Sequence, residues 1–225
     1  MELKAEGASR WFFRSNKSSN YFYAVQKTDF TAENGKITVI GGKSGSGKTT
    51  FLNMLCGLLS PSEGSILLDG EDMYEMSDSR RSRIRNKLFG VVPQGQTGLK
   101  SFTVLENVLI PAQMYGSKTD LTEKAESLLD GLGILELKNV YANELSGGEM
   151  RRMSLARALI CEPQFIFADE PTSDLDDEAT SSVMKLFRIC ADKGAAVIIN
   201  THEKEVSDLA DKVYRMDKGV LLPAE

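Results

Sequence analysis

Short apolar runs alternate with longer stretches of helical periodicity along most of the chain. Strands are predicted for KITVI (36–40), SILLDG (65–70), KLFGVV (87–92), QFIFAD (164–169) and AAVIIN (195–200). KITVI is interpreted as buried, SILLDG as a strand that ends in a turn, and QFIFAD and AAVIIN as central strands. TTFLNMLCGLL (49–59) predicts a helix that stops at Ser60-Pro61, because proline does not continue a helix. VYRM and VLL flank Asp217-Lys218-Gly219 and predict a terminal hairpin. Strands that alternate with helices indicate an α/β fold with a mainly parallel sheet.

The pattern changes between Val104 and Ala158, where helical periodicity continues without a convincing strand. We interpret this segment as a helical subdomain inserted into the sheet domain. The predicted organisation is a single domain over residues 1–225, which is a reasonable size for one hydrophobic core. Residues 1–93 and 160–225 form its core, and residues 94–159 form its helical subdomain.

One predicted helix begins with two glycines. The run from Glu149 to Leu159 has a helical apolar face, yet Gly147 and Gly148 stand at its first turn. Glycine inside a helix costs about 1 kcal/mol relative to alanine. Ser146 and Glu149 have the spacing of a capping box, which is a structural explanation. Exposed amides beside a serine hydroxyl at a helix N-terminus also suit a phosphate, and the local sequence leaves both explanations open.

Composition narrows the class of protein. Hydrophobic residues make up 41% of the chain and charged residues 26%, a balance typical of globular domains. The net charge of −5 argues against a nucleic-acid-binding protein. No apolar run approaches the roughly 20 residues of a membrane-spanning helix, and the N-terminus lacks a secretion-signal layout. The three cysteines are widely spaced and are interpreted as reduced, mostly buried thiols of a cytosolic protein.

The segment RRSRIRNK (80–87) is the one dense basic run in the sequence. Such a run can contact lipid head groups or nucleic acid. A solvated helix capped by Ser77 or Asp78 would explain the same residues without any ligand. We favour the solvated helix.

The strongest motif is GKSGSGKT (42–49), which follows a predicted strand and opens a predicted helix. It matches the phosphate-loop pattern in its required context. Glycines let the backbone amides of residues 44–48 turn inward around a β-phosphate. We expect Lys48 to contact the β- and γ-phosphates, the Thr49 hydroxyl to bind Mg²⁺ and Thr50 to contact the α-phosphate. The predicted nucleotide-binding residues of this loop are Gly42, Lys43, Ser44, Gly45, Ser46, Gly47, Lys48, Thr49 and Thr50.

Polar residues follow three further predicted strands. Asp169 and Glu170 end the run FIFADE, at the sheet edge where we expect the phosphate loop. Asp169 is predicted to bind Mg²⁺, and Glu170 to be the general base for an attacking water. His202 follows AAVIIN and is a second catalytic candidate, with a hydrogen bond to the γ-phosphate. Gln94 follows FGVVP, and its amide is a candidate Mg²⁺ ligand and sensor of the γ-phosphate.

The order GKSGSGKT, VPQ, LSGGE, FADEPTSDLD and NTHE resembles the ATP-binding cassette of ABC transporters over essentially the whole chain. LSGGE with RRMSLARAL is the most specific element of this resemblance. The resemblance implies a RecA-like P-loop NTPase core, N-terminal antiparallel strands, ATPase activity, and ATP and Mg²⁺ as ligands. It identifies Gly42 to Thr49 as Walker A, Asp169 and Glu170 as Walker B, Gln94 as the Q-loop residue and His202 as the switch histidine.

In such cassettes two copies face each other head to tail with ATP between them. Ser146, Gly147 and Gly148 would then contact the γ-phosphate held by the other copy, and Asp176 of the D-loop SDLD would lie at the same interface. The second residue of SDLD departs from the usual alanine or glycine. Phe12 is the favoured adenine-stacking aromatic, and the competing candidates are Trp11, Phe13, Tyr21 and Tyr23, because SNKSSN (15–20) is interpreted as an insertion.

The resemblance also implies the partners. They are a second copy of the chain and a separately encoded integral membrane permease, which places the subunit on the cytoplasmic face of the membrane. SFTVLENVLIP (101–111) is similar to the lipoprotein-release, macrolide-efflux and antimicrobial-peptide group. We expect residues 101–115 to lie near a permease groove, with Leu99, Phe102, Leu105 and Leu109 as candidates for its lining. The rivals are a soluble ABC-type ATPase that acts on DNA or ribosomes and a small-molecule kinase or GTPase.

Overall fold

The computed structural model of the chain describes residues 1–13, 21–95, 97–115 and 119–224. The strands are β1 Leu3–Phe13, β2 Tyr21–Ala32, β3 Ile37–Gly41, β4 Glu63–Leu68, β5 Glu71–Asp72, β6 Phe89–Val92, β7 Phe165–Asp169, β8 Ala196–Asn200, β9 Lys212–Asp217 and β10 Val220–Pro223. The helices are α1 Lys48–Leu55, α2 Asp78–Leu88, α3 Val104–Gln113, α4 Thr122–Gly131, α5 Gly147–Leu159, α6 Asp177–Asp192 and α7 Lys204–Ser207.

The larger sheet has six strands in the order β10-β9-β3-β8-β7-β6. All neighbours are parallel except β9 and β10, which form the predicted terminal hairpin. The carboxyl ends of β3, β6, β7 and β8 therefore meet at one edge of the sheet. This arrangement confirms the predicted α/β fold, and it brings the residues that follow these strands together.

The central strands are apolar throughout because both faces of the sheet are covered. In β7, Phe165 and Phe167 point into one core and Ile166 and Ala168 point into the other. The same alternation occurs in β8, as expected for side chains that leave a strand on opposite faces. The β-strands that carry the polar residues at the sheet edge are therefore held rigidly from both sides.

The smaller sheet has the order β2-β1-β4-β5 and is antiparallel. The predicted strand SILLDG forms β4 in this antiparallel sheet. Its pairing partner β1 is 60 residues earlier in the chain, which local periodicity cannot reveal. The predicted N-terminal antiparallel strands are confirmed.

Between β6 and β7 the described residues form α3, α4 and α5 with no strand, as predicted. Helix α5 packs against α3 and α4, and its buried residues include Met150, Met153 and Leu155. The assignment of residues 94–159 to a separate subdomain stays a prediction. Within the described part of the chain, no helix combines the length and apolar character needed to cross a bilayer.

Several predicted boundaries were wrong, among them the end of one helix and the start of one strand. Helix α1 ends at Leu55, four residues before its predicted end, because Gly57 adopts a φ of 75° that ends a helix. Strand β6 begins at Phe89 instead of Lys87, since the preceding residues belong to α2. Of the two predicted caps of α2, Ser77 and Asp78, the structure has Ser77. None of the residues of α2 is fully buried. The basic run therefore belongs to a capped helix at the surface, as favoured, although Ile84 packs partly against the core and Arg85 donates to the carbonyl oxygen of Gly57.

Candidate nucleotide-binding site

The loop between β3 and α1 needs glycine at both of its ends. Gly42 has a φ of 151°, and a Cβ there would lie 2.3 Å from the carbonyl oxygen of Met216. Gly47 has a φ of 112°, and its Cβ would lie 2.1 Å from the carbonyl oxygen of Ala24. Both distances are too short for any side chain, so the loop is packed tightly beneath the neighbouring backbone. The predicted phosphate loop has the tight turn that its chemistry requires.

Lys48 folds back across this loop. It is 7% exposed, and its Nζ donates to the carbonyl oxygens of Gly42 (2.7 Å) and Lys43 (3.2 Å). No carboxylate forms an ion pair with it among the described residues. The Ser46 hydroxyl is also buried, and no described residue forms a hydrogen bond with it. A buried ammonium held by carbonyl oxygens and an unpaired hydroxyl fit an anionic ligand such as a polyphosphate.

Asp169 ends β7 at this sheet edge and is 2% exposed. Its carboxylate accepts hydrogen bonds from the Thr49 hydroxyl (2.6 Å) and from Nδ2 of Asn200 (3.1 Å). Hydroxyl and carboxylate oxygens that lie this close are the ligand types that Mg²⁺ prefers. The residues present therefore fit the predicted metal, and Asn200 is an additional residue that sequence analysis missed.

Glu170 has a left-handed backbone, with a φ of 50°, which is uncommon for any residue other than glycine. Its N–H donates to the carbonyl oxygen of Asn200 (2.8 Å), and its carboxylate oxygens lie 3.1 Å from Nδ1 of His202. This hydrogen bond, followed by the negative charge of Glu170, raises the pKa of His202. The unusual backbone turns the carboxylate toward the phosphate loop, where it can meet a water beside a bound phosphate.

These groups surround one cavity of about 750 Å³. Its lining includes Lys43, Ser44, Gly45, Ser46, Gly47, Lys48, Thr49, Thr50, Gln94, Asp169, Glu170 and His202, all of which were predicted as site residues. Gly42 lies behind this surface and contributes its carbonyl oxygen to Lys48. The volume accommodates a nucleotide-sized ligand.

Three aromatic residues line the same cavity: Phe12, Phe22 and Tyr23. Phe12 was the favoured adenine-stacking candidate, and Phe22 was missed. The register of β1 and β2 pairs Phe12 with Phe22, so the two rings share a face of the hairpin with centroids 6.1 Å apart. The candidates Trp11, Phe13 and Tyr21 are not in the cavity lining and contact one another instead. SNKSSN (15–20) lies outside the described residues.

The turn of Ser146, Gly147 and Gly148 does not line this cavity. Ser146 caps α5, and its amide and hydroxyl both donate to the Glu149 carboxylate at 2.7 and 2.8 Å. The bond from the Ser146 amide, followed by that from its hydroxyl, lowers the pKa of Glu149. Asp176 also lies outside the cavity lining and caps α6 through the amide of Ala179 (2.8 Å). The predicted capping box is confirmed.

The terminal hairpin adds two residues that sequence analysis missed. Lys218 and Gly219 line the cavity, and the N–H of Gly219 donates to the carbonyl oxygen of Ser46 (2.8 Å). The carbonyl oxygen of Gly219 accepts from the N–H of Gln26 (2.8 Å). The hairpin turn thus connects the phosphate loop to the antiparallel sheet that carries the aromatic residues.

Comparisons with relatives and solved structures identify the family. The profile of the ABC transporter family matches residues 25–173. LolD, the ATP-binding protein of the lipoprotein-releasing system of Treponema denticola, is 38% identical over 208 residues, which cover 92% of each protein. An uncharacterized ABC transporter ATP-binding protein of Methanocaldococcus jannaschii is 34% identical over 200 residues, which cover 88% of this chain and 89% of that protein.

The fold is similar to that of the cassette MJ0796. A dimeric structure of this bacterial ABC transporter cassette has a TM-score of 0.89 and 27% identity, and the match covers 96% of this chain and 95% of that one. A dimeric post-hydrolysis state of MJ0796 bound to ADP and Pi has a TM-score of 0.90 and 26% identity, with 99% of both chains covered. The chain therefore belongs to the ABC transporter family, as an ATP-binding subunit that hydrolyses ATP.

Proposed function

We propose that two copies of this chain close head to tail around ATP and thereby drive a separate membrane permease. One observation carries the proposal. The residues of the phosphate loop and of the strand ends line a single cavity, whereas Ser146, Gly147 and Gly148 lie outside that cavity. The capping box at Ser146 fixes their turn, which presents a helix N-terminus without side chains at its first two positions. A second copy would bring this turn to the nucleotide.

Within one copy, the cavity residues take the following roles. Lys48 neutralises charge on the β- and γ-phosphates, and the amides of the phosphate loop donate hydrogen bonds to the β-phosphate. Thr50 contacts the α-phosphate. Phe12 stacks on adenine, and its neighbour Phe22 extends the apolar surface that the base covers. The positive charge of Lys43 adds to the electrostatic attraction of this site for the phosphates.

Thr49, Asp169 and Gln94 would hold Mg²⁺. Thr49 and Asp169 are already in hydrogen-bond contact, and Gln94 lines the cavity beside them. The ion, when bound, neutralises charge on the phosphate oxygens. Asn200 orients Asp169 by donating to its second oxygen, so that the carboxylate keeps one geometry.

Glu170 acts as the general base in this proposal. It takes a proton from a water placed in line with the γ-phosphate, while His202 orients the carboxylate through the contact between them. At the interface of two copies, Ser146, Gly147 and Gly148 donate to the γ-phosphate, and Asp176 lies beside them. Hydrolysis then needs both copies.

The partner we propose is an integral membrane permease, with the subunit on the cytoplasmic face of the membrane. Its similarity to LolD supports a role in lipoprotein or lipid extraction or in export. Leu99 and Phe102 are 48% and 42% exposed, as expected for a docking groove, whereas Leu105 and Leu109 pack partly against the core. Nucleic acid is not among the proposed ligands, in keeping with the net charge of −5.

Glu170→Gln tests the chemistry and the dimer together. We expect wild-type ATP affinity and a loss of turnover of roughly 10²- to 10⁴-fold, the usual contribution of general-base catalysis. Size-exclusion chromatography with light scattering should show that ATP converts this variant from monomer to dimer. Wild-type turnover would remove Glu170 from its role, and a monomer at saturating ATP would refute the closing of two copies.

A pull-down with the tagged chain as bait tests the partner. Pull-down from detergent-solubilised membranes should enrich a membrane protein, and charged substitutions at Leu99 and Phe102 should abolish this enrichment while ATP binding is unchanged. Enrichment of ribosomal or DNA-bound proteins instead would favour the soluble-ATPase rival.

A further inference from the structure

Arg151 lies on the second turn of α5, and its guanidinium is buried between two loops of the ATP site. The residue is 7% exposed. Its Nη1 donates to the carbonyl oxygen of Pro93 (3.2 Å), and its Nη2 donates to the hydroxyl of Ser173 (3.0 Å). Pro93 immediately precedes Gln94, and Ser173 lines the cavity three residues after Glu170. The Arg151 side chain thus bridges the loop that carries Gln94 and the loop that carries Glu170.

The residue type is informative because a buried guanidinium is costly. Among the described residues, no carboxylate lies within ion-pair distance of Arg151. An apolar side chain of similar length could fill this space without the cost of desolvating a charge. An arginine here gives two donors in a fixed fork. The fork joins the loops that follow the paired strands β6 and β7, beyond the last paired residues, Val92 and Ala168. These contacts indicate a role in positioning the two loops.

The loop at Ser173 is the one that holds the left-handed Glu170. The Ser173 hydroxyl donates to the carbonyl oxygen of Glu170 (3.0 Å), and the N–H of Ser173 approaches the same oxygen (3.3 Å). A strained backbone persists only where its surroundings impose it. Arg151 fixes the Ser173 hydroxyl from the opposite side, so it supports the conformation that points Glu170 into the cavity.

We propose that Arg151 is a positioning residue that couples the turn at Ser146 to the Gln94 and Glu170 loops of the same chain. Arg151 follows Gly147 by four residues, one helical turn, so both lie on one rigid element. The inference rests on the proposed function, in which a second copy's ATP contacts the Ser146 turn. That contact would then fix α5, and through Arg151 it would fix the catalytic carboxylate of the chain's own site.

Arg151→Gln tests the coupling, with Arg152→Gln as the matched control. Arg152 is the next residue of α5, and its Nη1 contacts the carbonyl oxygens of Leu132 and Gly133, away from the cavity. For Arg151→Gln we expect a fall in turnover of at least about tenfold, equivalent to about 1.4 kcal/mol in the barrier. ATP affinity of the monomer, measured with a fluorescent ATP analogue, should change less than about twofold, since Arg151 does not line the cavity.

The Hill coefficient gives a readout that simple destabilisation would not move. In the proposed dimer the wild type and Arg152→Gln should approach a value of about 2, and Arg151→Gln should fall toward about 1. Arg151→Lys restores the charge but not the fork, so it should recover only part of the turnover. Equal losses in Arg151→Gln and Arg152→Gln, or wild-type cooperativity in Arg151→Gln, would overturn the inference.

Ser173→Ala provides a second test in case Arg151→Gln does not fold. It deletes one hydroxyl and should also lower turnover at unchanged ATP affinity. The double variant should lose less than the two single losses combined, because both variants break the same connection; fully additive losses would count against the coupling. A Glu170→Gln variant that remains monomeric at saturating ATP would instead refute the proposed function, so the two failures are distinguishable.

Discussion

Asn200 offers a quantitative test of the environment around Asp169. It is fully buried on β8, and its Nδ2 is 3.1 Å from Oδ1 of Asp169. Asn200→Asp keeps the shape of the side chain and replaces a hydrogen-bond donor with a carboxylate. Asn200→Ala removes the donor without adding a charge. The pair of variants therefore separates the repulsion between two carboxylates from the loss of one hydrogen bond.

The expected magnitude follows from the distance. Two negative charges 3.1 Å apart repel by about 5 kcal/mol at an effective dielectric constant of about 20. Protonating one carboxyl relieves this repulsion, and at pH 7 that costs about 4 kcal/mol for an ordinary carboxyl. The variant adopts the less costly of these two states, in which one carboxyl is protonated. We therefore expect Asn200→Asp to lose about 4 kcal/mol in the free energy of unfolding. Asn200→Ala should lose about 2 kcal/mol, as for a hydrogen bond to a charged group.

Urea unfolding followed by circular dichroism measures both variants. The raised carboxyl pKa in folded Asn200→Asp means that the folded state binds more protons than the unfolded state. The stability of this variant should therefore increase as the pH falls from neutral toward mildly acidic values, relative to Asn200→Ala. If the two variants had the same midpoint at neutral pH, or if Asn200→Asp showed no such recovery, the assigned contact between Asn200 and Asp169 would be refuted.

Three further substitutions probe other parts of the site. Gly47→Ala should lose most nucleotide binding, measured by calorimetry, because its Cβ would lie 2.1 Å from the carbonyl oxygen of Ala24; unchanged affinity would contradict the tight loop. Ser146→Ala should destabilise the protein by about 1 kcal/mol through the lost cap and should also lower turnover, whereas loss of stability alone would indicate a purely structural serine. The pKa of His202 is raised in the folded state by Glu170, so its stabilising contribution is present below the ordinary histidine pKa and is lost as the pH rises through the folded pKa. His202→Gln should remove this part of the pH dependence in urea titrations, and an unaltered profile would argue against the contact.

Much of the site was predictable because its residues belong to continuous segments. The phosphate loop lies between a strand and a helix, so its glycines and its Lys-Thr pair form a recognisable local pattern. The contacts with Met216 and Ala24 that exclude side chains at Gly42 and Gly47 come from the tertiary structure. Asp169 and Glu170 follow an apolar strand, and parallel strands deliver their C-terminal residues to one edge. Phe22, Lys218 and Asn200 were missed because their roles depend on strand register and on a hairpin that reaches the loop from the far end of the chain.

The sequence by itself determined the alternating elements, the phosphate loop and the capping box at Ser146, because each depends on residues within a few positions of one another. Only the tertiary structure decided that β4 pairs with β1, that Phe12 and Phe22 share a face, and that Ser146 lies outside the cavity of its own chain. It also decided that Arg151 bridges Pro93 and Ser173. Such contacts join segments far apart in the chain, and their geometry is set by sheet order and core packing, which local periodicity does not encode.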